Sequence, residues 1–171
     1  DRITPNSPAI LIQLGLIYWE LDKPKKALEV LKQALANNPT PPSLIGHIYA
    51  NISEVYEKLE RYDDAMGAAK KALEIMDYDD AFVNYILGLS YDAKGDGLHA
   101  ISHMIIATKG FQIERKIDHE QDKWDKRNQQ KYLAKSSKKL RGFYQKYGYT
   151  PKDFDEPLIA TAPKTPTPAP P

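Results

Sequence analysis

Two groups of side chains in this sequence have types and spacings that could do chemistry. The first is a pair of histidines, His99 and His103, which are four residues apart and would share one face of a helix, a spacing that can bind a metal ion. No glutamate base of the H-E-x-x-H type stands between them, and the chain has no cysteine to complete a site. We therefore expect solvent-side histidines, and we predict no metal site, no cofactor and no catalytic residue.

The second group is a run of basic residues without an acidic residue among them: Lys126, Arg127, Lys131, Lys135, Lys138, Lys139, Arg141 and Lys146. Aromatic residues interleave with this run, a combination typical of surfaces that touch nucleic acid or anionic lipid. The net charge of the whole chain is only +1, however. This near-neutral balance favours the alternative, a solvated helix whose positive face complements an acidic protein surface. Nucleic acid is therefore not an expected partner.

The composition indicates what class of protein positions these residues. The chain has 171 residues, of which 42% are apolar and 27% charged, as in one soluble domain of ordinary size. The absence of cysteine excludes a disulfide scaffold. No apolar run approaches the roughly 20 residues of a membrane-spanning helix, so we predict no transmembrane segment. The sequence begins at Asp1 rather than at Met, which favours an exported protein that has lost a signal segment, with a cytoplasmic protein as the alternative.

A pattern that begins at Pro8 recurs twice along the chain. Counted from Pro8 as position 1, positions 4, 7, 8, 11, 20, 24, 27 and 32 hold Leu11, Leu14, Gly15, Tyr18, Ala27, Leu31, Ala34 and Pro39. Counted from Gly46, the same positions hold Tyr49, Ile52, Ser53, Tyr56, Ala65, Ala69, Ala72 and Asp77. Counted from Ala81, the first seven hold Asn84, Leu87, Gly88, Tyr91, Ala100, Met104 and Ala107. The shared alanines are small where two helices must approach closely.

This pattern resembles the tetratricopeptide repeat (TPR), whose signature is W-x2-L-G-x2-Y, followed by A-x3-F and then P. In the first unit Leu11 replaces the Trp and Leu31 replaces the Phe. The resemblance implies an all-α fold, a TPR-type α-solenoid of three helix-turn-helix repeats. It also implies that the protein is not an enzyme and binds other proteins.

The expected organisation follows from the three units and from the composition after them. We predict a lead-in at 1–7, TPR-like repeats within 8–117 (8–41, 46–79 and 81–114), a basic capping helix at 118–148, and a proline-rich extended tail at 149–171. Ser7 or Asn6 is expected to cap the first helix, and Gly148 to end the last one.

The resemblance further implies a concave groove lined by positions 2, 5, 9 and 12 of each first helix. The predicted partner-binding residues are Ile12, Leu16, Trp19, Ala50, Asn51, Phe82, Tyr85 and Leu89. Asn51 alone matches the clamp by which some TPR domains hold a chaperone carboxylate, so that clamp is rejected. Two occupants of the groove stay open at this point, namely a partner segment and the chain's own C-terminal segment.

The predicted function is therefore a non-catalytic interaction module, an adaptor or assembly subunit that binds a protein or peptide. The alternative is a structural subunit that forms a filament or ring with other copies of itself, through repeat stacking and tail docking. A basic-helix binder of nucleic acid or anionic lipid ranks third. The proline-rich tail is expected to lie against aromatic residues, in its own repeats or in a neighbouring copy. In an exported protein its threonines could instead carry O-linked glycans: Thr161, Thr165 and Thr167.

Overall fold

The computed structural model describes residues 7–76, 79–116 and 123–154, without the side chains of 114–116 and 123–128. Those ranges hold seven α-helices: α1 (Pro8–Glu20), α2 (Pro24–Ala36), α3 (Pro42–Lys58), α4 (Tyr62–Met76), α5 (Ala81–Ala93), α6 (Gly97–Lys116) and α7 (Lys123–Tyr147). A 3-10 helix follows at Pro151–Phe154, and the described part of the chain contains no strand. The all-α prediction is confirmed.

The first six helices form three antiparallel pairs, α1 with α2, α3 with α4 and α5 with α6, and each pair packs on the next. This is the predicted TPR-type α-solenoid. The helices begin where local chemistry favours them. The Ser7 side chain accepts a hydrogen bond from the Ile10 amide at 3.4 Å, and Asp80 accepts one from the Val83 amide at 2.8 Å. Pro24 and Pro42 stand in the first turns of α2 and α3, where no amide donor is needed.

The turn within each helical pair has the same backbone geometry at the same position. Position 15 of the three units is Asp22, Glu60 and Gly95, and all three have a positive φ, of 55°, 57° and 80°. The next residue then donates its amide to the carbonyl of the position-11 tyrosine, five residues back, at 2.9–3.0 Å. This is the hydrogen bond of a Schellman motif, which satisfies the last carbonyls of the first helix. The same turn therefore reverses the chain direction between the two helices of each of the three pairs.

The contact between paired helices depends on small residues, as predicted. Ala27, Ala65 and Ala100 have no exposed surface. A Cβ placed on Gly15 would lie 2.8 Å from the Leu31 side chain. The glycine and the leucine occupy positions 8 and 24 of the first unit, so the large residue of one helix fills the space left by the glycine of the other. Position 8 must stay small wherever position 24 is large.

The four residues inserted between the first two units lengthen a helix and do not form a loop. The repeat register begins at Gly46, but α3 begins at Pro42, so the insertion adds one N-terminal turn. A Cβ on Gly46 would meet the Met76 side chain at 2.5 Å, which explains why this position is glycine.

The buried side chains form three clusters. The first lies within α1–α4 and consists mainly of aliphatic residues, among them Leu31 and Ile48. The second lies within α5–α7 and includes Phe111 and Phe143. Between them lies a smaller third cluster, which we call the alanine junction: Ala50, Ala69, Ala72, Met76, Val83 and Leu87.

The C-terminal part of the described chain differs from the expectation at one point, the start of the segment that follows the capping helix. The predicted capping helix begins at Lys123, and residues 117–122, where its expected start lies, are outside the described residues. Gly148 ends it with a φ of 74°, as a C-cap glycine does. The segment expected to be extended opens with the 3-10 helix Pro151–Phe154, whose Phe154 ring lies 5.9 Å from that of Tyr144. Residues 155–171 are outside the described residues.

Candidate binding groove

The predicted groove residues are more buried than a free binding surface requires. Ile12, Ala50 and Tyr85 are buried, at 6–8% exposed surface. The others are partly buried: Leu16, Trp19, Asn51, Phe82 and Leu89. Ile12 belongs to the first hydrophobic cluster because α1 turns this side of the helix towards its neighbours. Ile12, Ala50 and Tyr85 are therefore part of the hydrophobic core as well as of the predicted groove. The role of the eight residues in partner binding stays a prediction.

Helix α7 covers the part of the groove that belongs to the third repeat. The ring of Tyr132 lies 5.2 Å from Phe82, 5.7 Å from Tyr85 and 5.7 Å from Phe111, centroid to centroid. The first two contacts are edge-to-face, the arrangement that aromatic quadrupoles favour. Of the two occupants considered for this surface, the chain's own C-terminal helix covers Phe82 and Tyr85.

The same tyrosine reaches the second repeat. Its hydroxyl donates a hydrogen bond to Glu54 Oε1 at 3.1 Å. Burial, opposed by this hydrogen bond, raises the pKa of Glu54 to about 7. Burial and the nearby Glu54 also raise the pKa of Tyr132, so that the phenol stays protonated and can donate. Glu54 is therefore a carboxyl group that changes charge near neutral pH within the contact between α3 and α7.

One turn further along α3, Glu57 also faces the lysines of α7. Burial raises the pKa of Glu57, while the positive charges of Lys139, Lys58 and Lys135 lower it. Burial has the larger effect. The acidic side of the groove is thus contributed by α3, and its basic side by α7.

Between α5 and α7 lies a cavity of about 560 Å³, which we call the lysine pocket. Its lining residues are Tyr85, Lys135, Lys138, Lys139, Gly142, Phe143 and Lys146. Tyr85 and Phe143 are buried and supply an aromatic floor. The four lysines stand at positions i, i+3, i+4 and i+11 along α7, which places them on one side of that helix. The pocket therefore combines an apolar base with a positively charged rim.

The rim lysines differ in how their charge is balanced. Lys146 pairs with Asp92 at 2.7 Å, and this hydrogen bond raises the pKa of Lys146. The Lys135 ammonium lies 5.3 Å from the centre of the Tyr132 ring. Within the described ranges, Lys135, Lys138 and Lys139 have no carboxylate at ion-pair distance. Three ammonium groups around an apolar floor favour an anionic occupant with an apolar group.

The structure separates the predicted basic surface into parts. Lys135, Lys138 and Lys139 line the pocket. Lys131 and Arg141 are exposed beside it on α7. The side chains of Lys126 and Arg127 are outside the described residues.

Trp19, another of the predicted partner-binding residues, lies at a different place on the array. The ammonium of Lys58, from α3, is 5.0 Å from the centre of the Trp19 ring, and it also pairs with Asp22 at 2.7 Å. A cation over the indole face covers part of the ring that a partner would otherwise contact. The structure therefore does not bring Trp19 and Tyr85 together in one pocket.

Both histidines pack on one tyrosine, but the expectation of solvent-side residues is wrong only for His103, because the His99 side chain is 41% exposed. Both rings stack on Tyr91, at 4.9 Å for His99 and 5.3 Å for His103. His99 Nδ1 lies 2.8 Å from Asp96, and His103 Nδ1 lies 2.8 Å from Asn84 Oδ1. Burial lowers the pKa of His103 to about 4. Among the described residues, no group of three or more metal-ligating side chains has a suitable arrangement.

Several residues of the site were not identified from the sequence as parts of one surface. Tyr132, Phe143 and Glu54 are not among the partner-binding residues that the sequence predicts. Among the residues that line the lysine pocket, Gly142 alone is small, and a Cβ there would meet no atom within 4 Å. A glycine that opens space within a lysine-rich turn is the signal that could have located the pocket.

The comparisons with known proteins agree with this geometry. Two family models described as tetratricopeptide repeat match residues 8–41 and 46–75. Residues 8–75 therefore contain two tetratricopeptide repeats. TPR proteins are in general non-catalytic modules that bind other proteins. No curated protein sequence is similar enough to this chain to count as a match.

The TPR fold is also similar to solved structures. A crystal structure of MamA is 20% identical with a TM-score of 0.54, over 84% of this chain and 82% of that one. A second crystal structure of the MamA protein is 19% identical with a TM-score of 0.54, over 91% of this chain and 80% of that one. At this identity the likeness concerns the fold. Within the described ranges, no helix has the length and apolar character needed to cross a membrane.

Proposed function

We propose that this protein is an adaptor or assembly subunit that binds an acidic segment of another protein in the lysine pocket. The observation that carries the proposal is the pocket between α5 and α7, with an aromatic floor and three rim lysines that have no partner carboxylate in the described ranges. The segment would place an apolar side chain on Tyr85 and Phe143 and its carboxylates near Lys135, Lys138 and Lys139.

The physical basis is complementarity of two kinds. Burial of an apolar side chain against two aromatic rings supplies affinity, and buried aromatic anchors are the usual energetic centre of an interface. Exposed lysines supply attraction and orientation, which speed association and fall with ionic strength. The preorganised helices add little ordering cost when the segment binds.

Fluorescence anisotropy with labelled peptides tests the proposal. A peptide with four Asp or Glu residues around one Leu or Phe should bind the full chain, and its affinity should fall as salt increases. The double substitution Lys138→Glu and Lys139→Glu should weaken binding at least tenfold. The matched control is Lys25→Glu with Lys109→Glu, two exposed lysines that do not line the pocket.

Equal binding by the two charge-reversed variants would exclude the pocket as the site. Stronger binding of a single-stranded DNA probe than of the acidic peptide would favour the nucleic-acid alternative. The same measurement on anionic vesicles addresses the lipid alternative.

A second candidate, self-assembly through repeat stacking, has one observation in its favour. Ile17 of α1 and Leu21, the residue that caps its C-terminus, are 51% and 57% exposed, so this end of the helix presents apolar surface that a copy of the chain could cover. Light scattering on the wild type and on Ile17→Lys tests it. Self-assembly predicts a concentration-dependent mass in the wild type that the lysine abolishes.

A further inference from the structure

We infer that the lysine pocket has a resident ligand, residues 155–159 of the same chain, which an external partner must displace. This sequence reads Asp155-Glu156-Pro157-Leu158-Ile159. The inference rests on the same pocket as the proposed function, but it concerns how that pocket is regulated.

The first argument is chemical. Residues 155–159 contain two adjacent carboxylates followed, after one proline, by two aliphatic side chains. The pocket offers the matching features, three lysines without a carboxylate partner in the described ranges and an aromatic floor. The carboxyl groups already near the rim are accounted for: Asp92 pairs with Lys146, and Glu54 and Glu57 are held on α3. None of these three carboxyl groups is at ion-pair distance from Lys138 in the described ranges.

The second argument is reach. The described chain ends with Phe154, whose ring lies 5.9 Å from that of Tyr144 on α7. The next residue back along α7, Phe143, lines the pocket. A helix with its side chains is about 10–12 Å across. Five extended residues span roughly 16–18 Å, so 155–159 can pass from the Tyr144 side of α7 to the pocket.

The third argument concerns competition. A segment joined to its site by a short connection has an effective concentration on the order of millimolar. A tethered ligand of modest intrinsic affinity therefore occupies its site for most of the time. An external acidic segment binds more weakly to such a chain than to one whose own segment has been neutralised.

Cysteine cross-linking in the full chain tests the inference directly, because the natural sequence has no cysteine. Gly142→Cys places a thiol in the pocket, where a Cβ meets no atom within 4 Å. Ala160→Cys places the second thiol next to residues 155–159 and leaves them unchanged. The matched control replaces Gly142→Cys by Gly67→Cys, an exposed glycine of α4 that has the same open space and does not line the pocket.

Under mild oxidation we expect the Gly142→Cys pair to form an intramolecular disulfide at least about tenfold faster than the Gly67→Cys pair. A disulfide requires the two Cα atoms to approach within about 7 Å, so the rate reports proximity. Adding Lys138→Glu and Lys139→Glu should reduce the rate of the first pair to that of the control. Equal rates for the two pairs, or a product that is mainly a cross-linked dimer, would overturn the inference.

Peptide binding separates this inference from the proposed function. In the full chain, Asp155→Asn with Glu156→Gln should raise the affinity for the acidic peptide at least tenfold, whereas Thr165→Ala with Thr167→Ala should leave it unchanged. Peptide binding that does not respond to the neutralised segment, together with equal cross-linking rates, refutes the resident ligand and leaves the proposed function intact. Fast cross-linking of the Gly142→Cys pair supports the resident ligand. If, in addition, neither the wild type nor the Asp155→Asn, Glu156→Gln variant binds the external peptide, the proposed function is refuted and the resident ligand is retained.

Discussion

The hydroxyl of Tyr132, in the last helix, donates a hydrogen bond to Glu54, in the first helix of the second repeat, across 78 residues of sequence. This contact joins α7 to a repeat other than the one it covers. It also places a carboxyl group with a pKa of about 7, that of Glu54, in the contact between α3 and α7. The attachment of α7, and with it the shape of the lysine pocket, is therefore coupled to pH near neutrality.

Glu54→Gln should remove a pH dependence of stability. The folded pKa of about 7 lies above the ordinary glutamate value of 4.5, so between these pH values the folded chain keeps a proton that the unfolded chain releases. Stability is then full below pH 4.5 and is lost as pH rises through 7. Gln keeps a hydrogen-bond acceptor for Tyr132 without the charge. At pH 8 we expect the variant to be more stable than the wild type by on the order of 1–3 kcal/mol.

Urea unfolding between pH 5 and pH 8 measures this difference. The control is Glu74→Gln, at an exposed position of α4, which should follow the wild type at every pH. Parallel pH profiles for the wild type and Glu54→Gln would contradict the assignment of the raised pKa.

His103 should give the opposite dependence. Burial lowers its pKa from 6.5 to about 4, so the unfolded chain binds a proton in this interval that the folded chain does not. Stability is therefore lost as pH falls from 6.5 towards 4. The groups that act on this ring are His99, Lys70 and Asp96. His103→Gln retains a donor for Asn84 and should flatten the acid side of the profile by about 1–2 kcal/mol. Thermal melts between pH 4 and pH 7 measure this. If the Tm of His103→Gln falls on acidification as much as the Tm of the wild type, the assigned pKa of His103 is refuted.

Ala65→Leu should overpack the seam between α3 and α4. Ala65 has no exposed surface, and extra methylene groups in a close-packed core cost about 1–3 kcal/mol. Gly67→Ala serves as the control on the same helix, because its Cβ meets nothing within 4 Å and alanine favours a helix by roughly 0.5–1 kcal/mol. Differential scanning calorimetry should show a lower Tm for the first and a higher Tm for the second. An unchanged Tm for Ala65→Leu would refute the repeat register.

Glu60→Gly should stabilise the chain. Glu60 holds a φ of 57°, which costs a residue with a Cβ about 1 kcal/mol, whereas glycine adopts it freely. The equivalent Gly95, with a φ of 80°, supplies the converse test, since Gly95→Ala should destabilise by a similar amount. Chemical unfolding of both variants checks the pair, and a sign reversal in either would contradict the shared turn geometry.

The fold could be predicted from the sequence because its information is local and repeated. Gly15 faces Leu31 within one unit, and the same spacing recurs, so three partial signals support one register. The site could not be predicted in the same way. Tyr132 contacts Phe82 and Glu54, which lie far away in sequence, and the direction of the lysines on α7 depends on where that one tyrosine inserts. The aromatic spacing along α7 is too irregular to fix its buried face without those contacts.

The alanine junction lies between two halves of the described chain, α1–α4 and α5–α7, and each half is held together by its own larger hydrophobic cluster. Its cluster has six members, three of them alanines, and it lies between two larger clusters. In a repeat array each unit is stabilised only by its neighbours, so the interface with the smallest side chains separates first. Amide hydrogen exchange should then resolve two cooperative units, α1–α4 and α5–α7, that open independently of one another. Tyr132 is one of the side chains that span this boundary, as are the Lys94–Asp63 ion pair and the contact of Lys70 with Tyr91. Tyr132→Phe deletes the hydroxyl that reaches Glu54, so it should raise the opening rate between the halves and leave exchange inside each half unchanged.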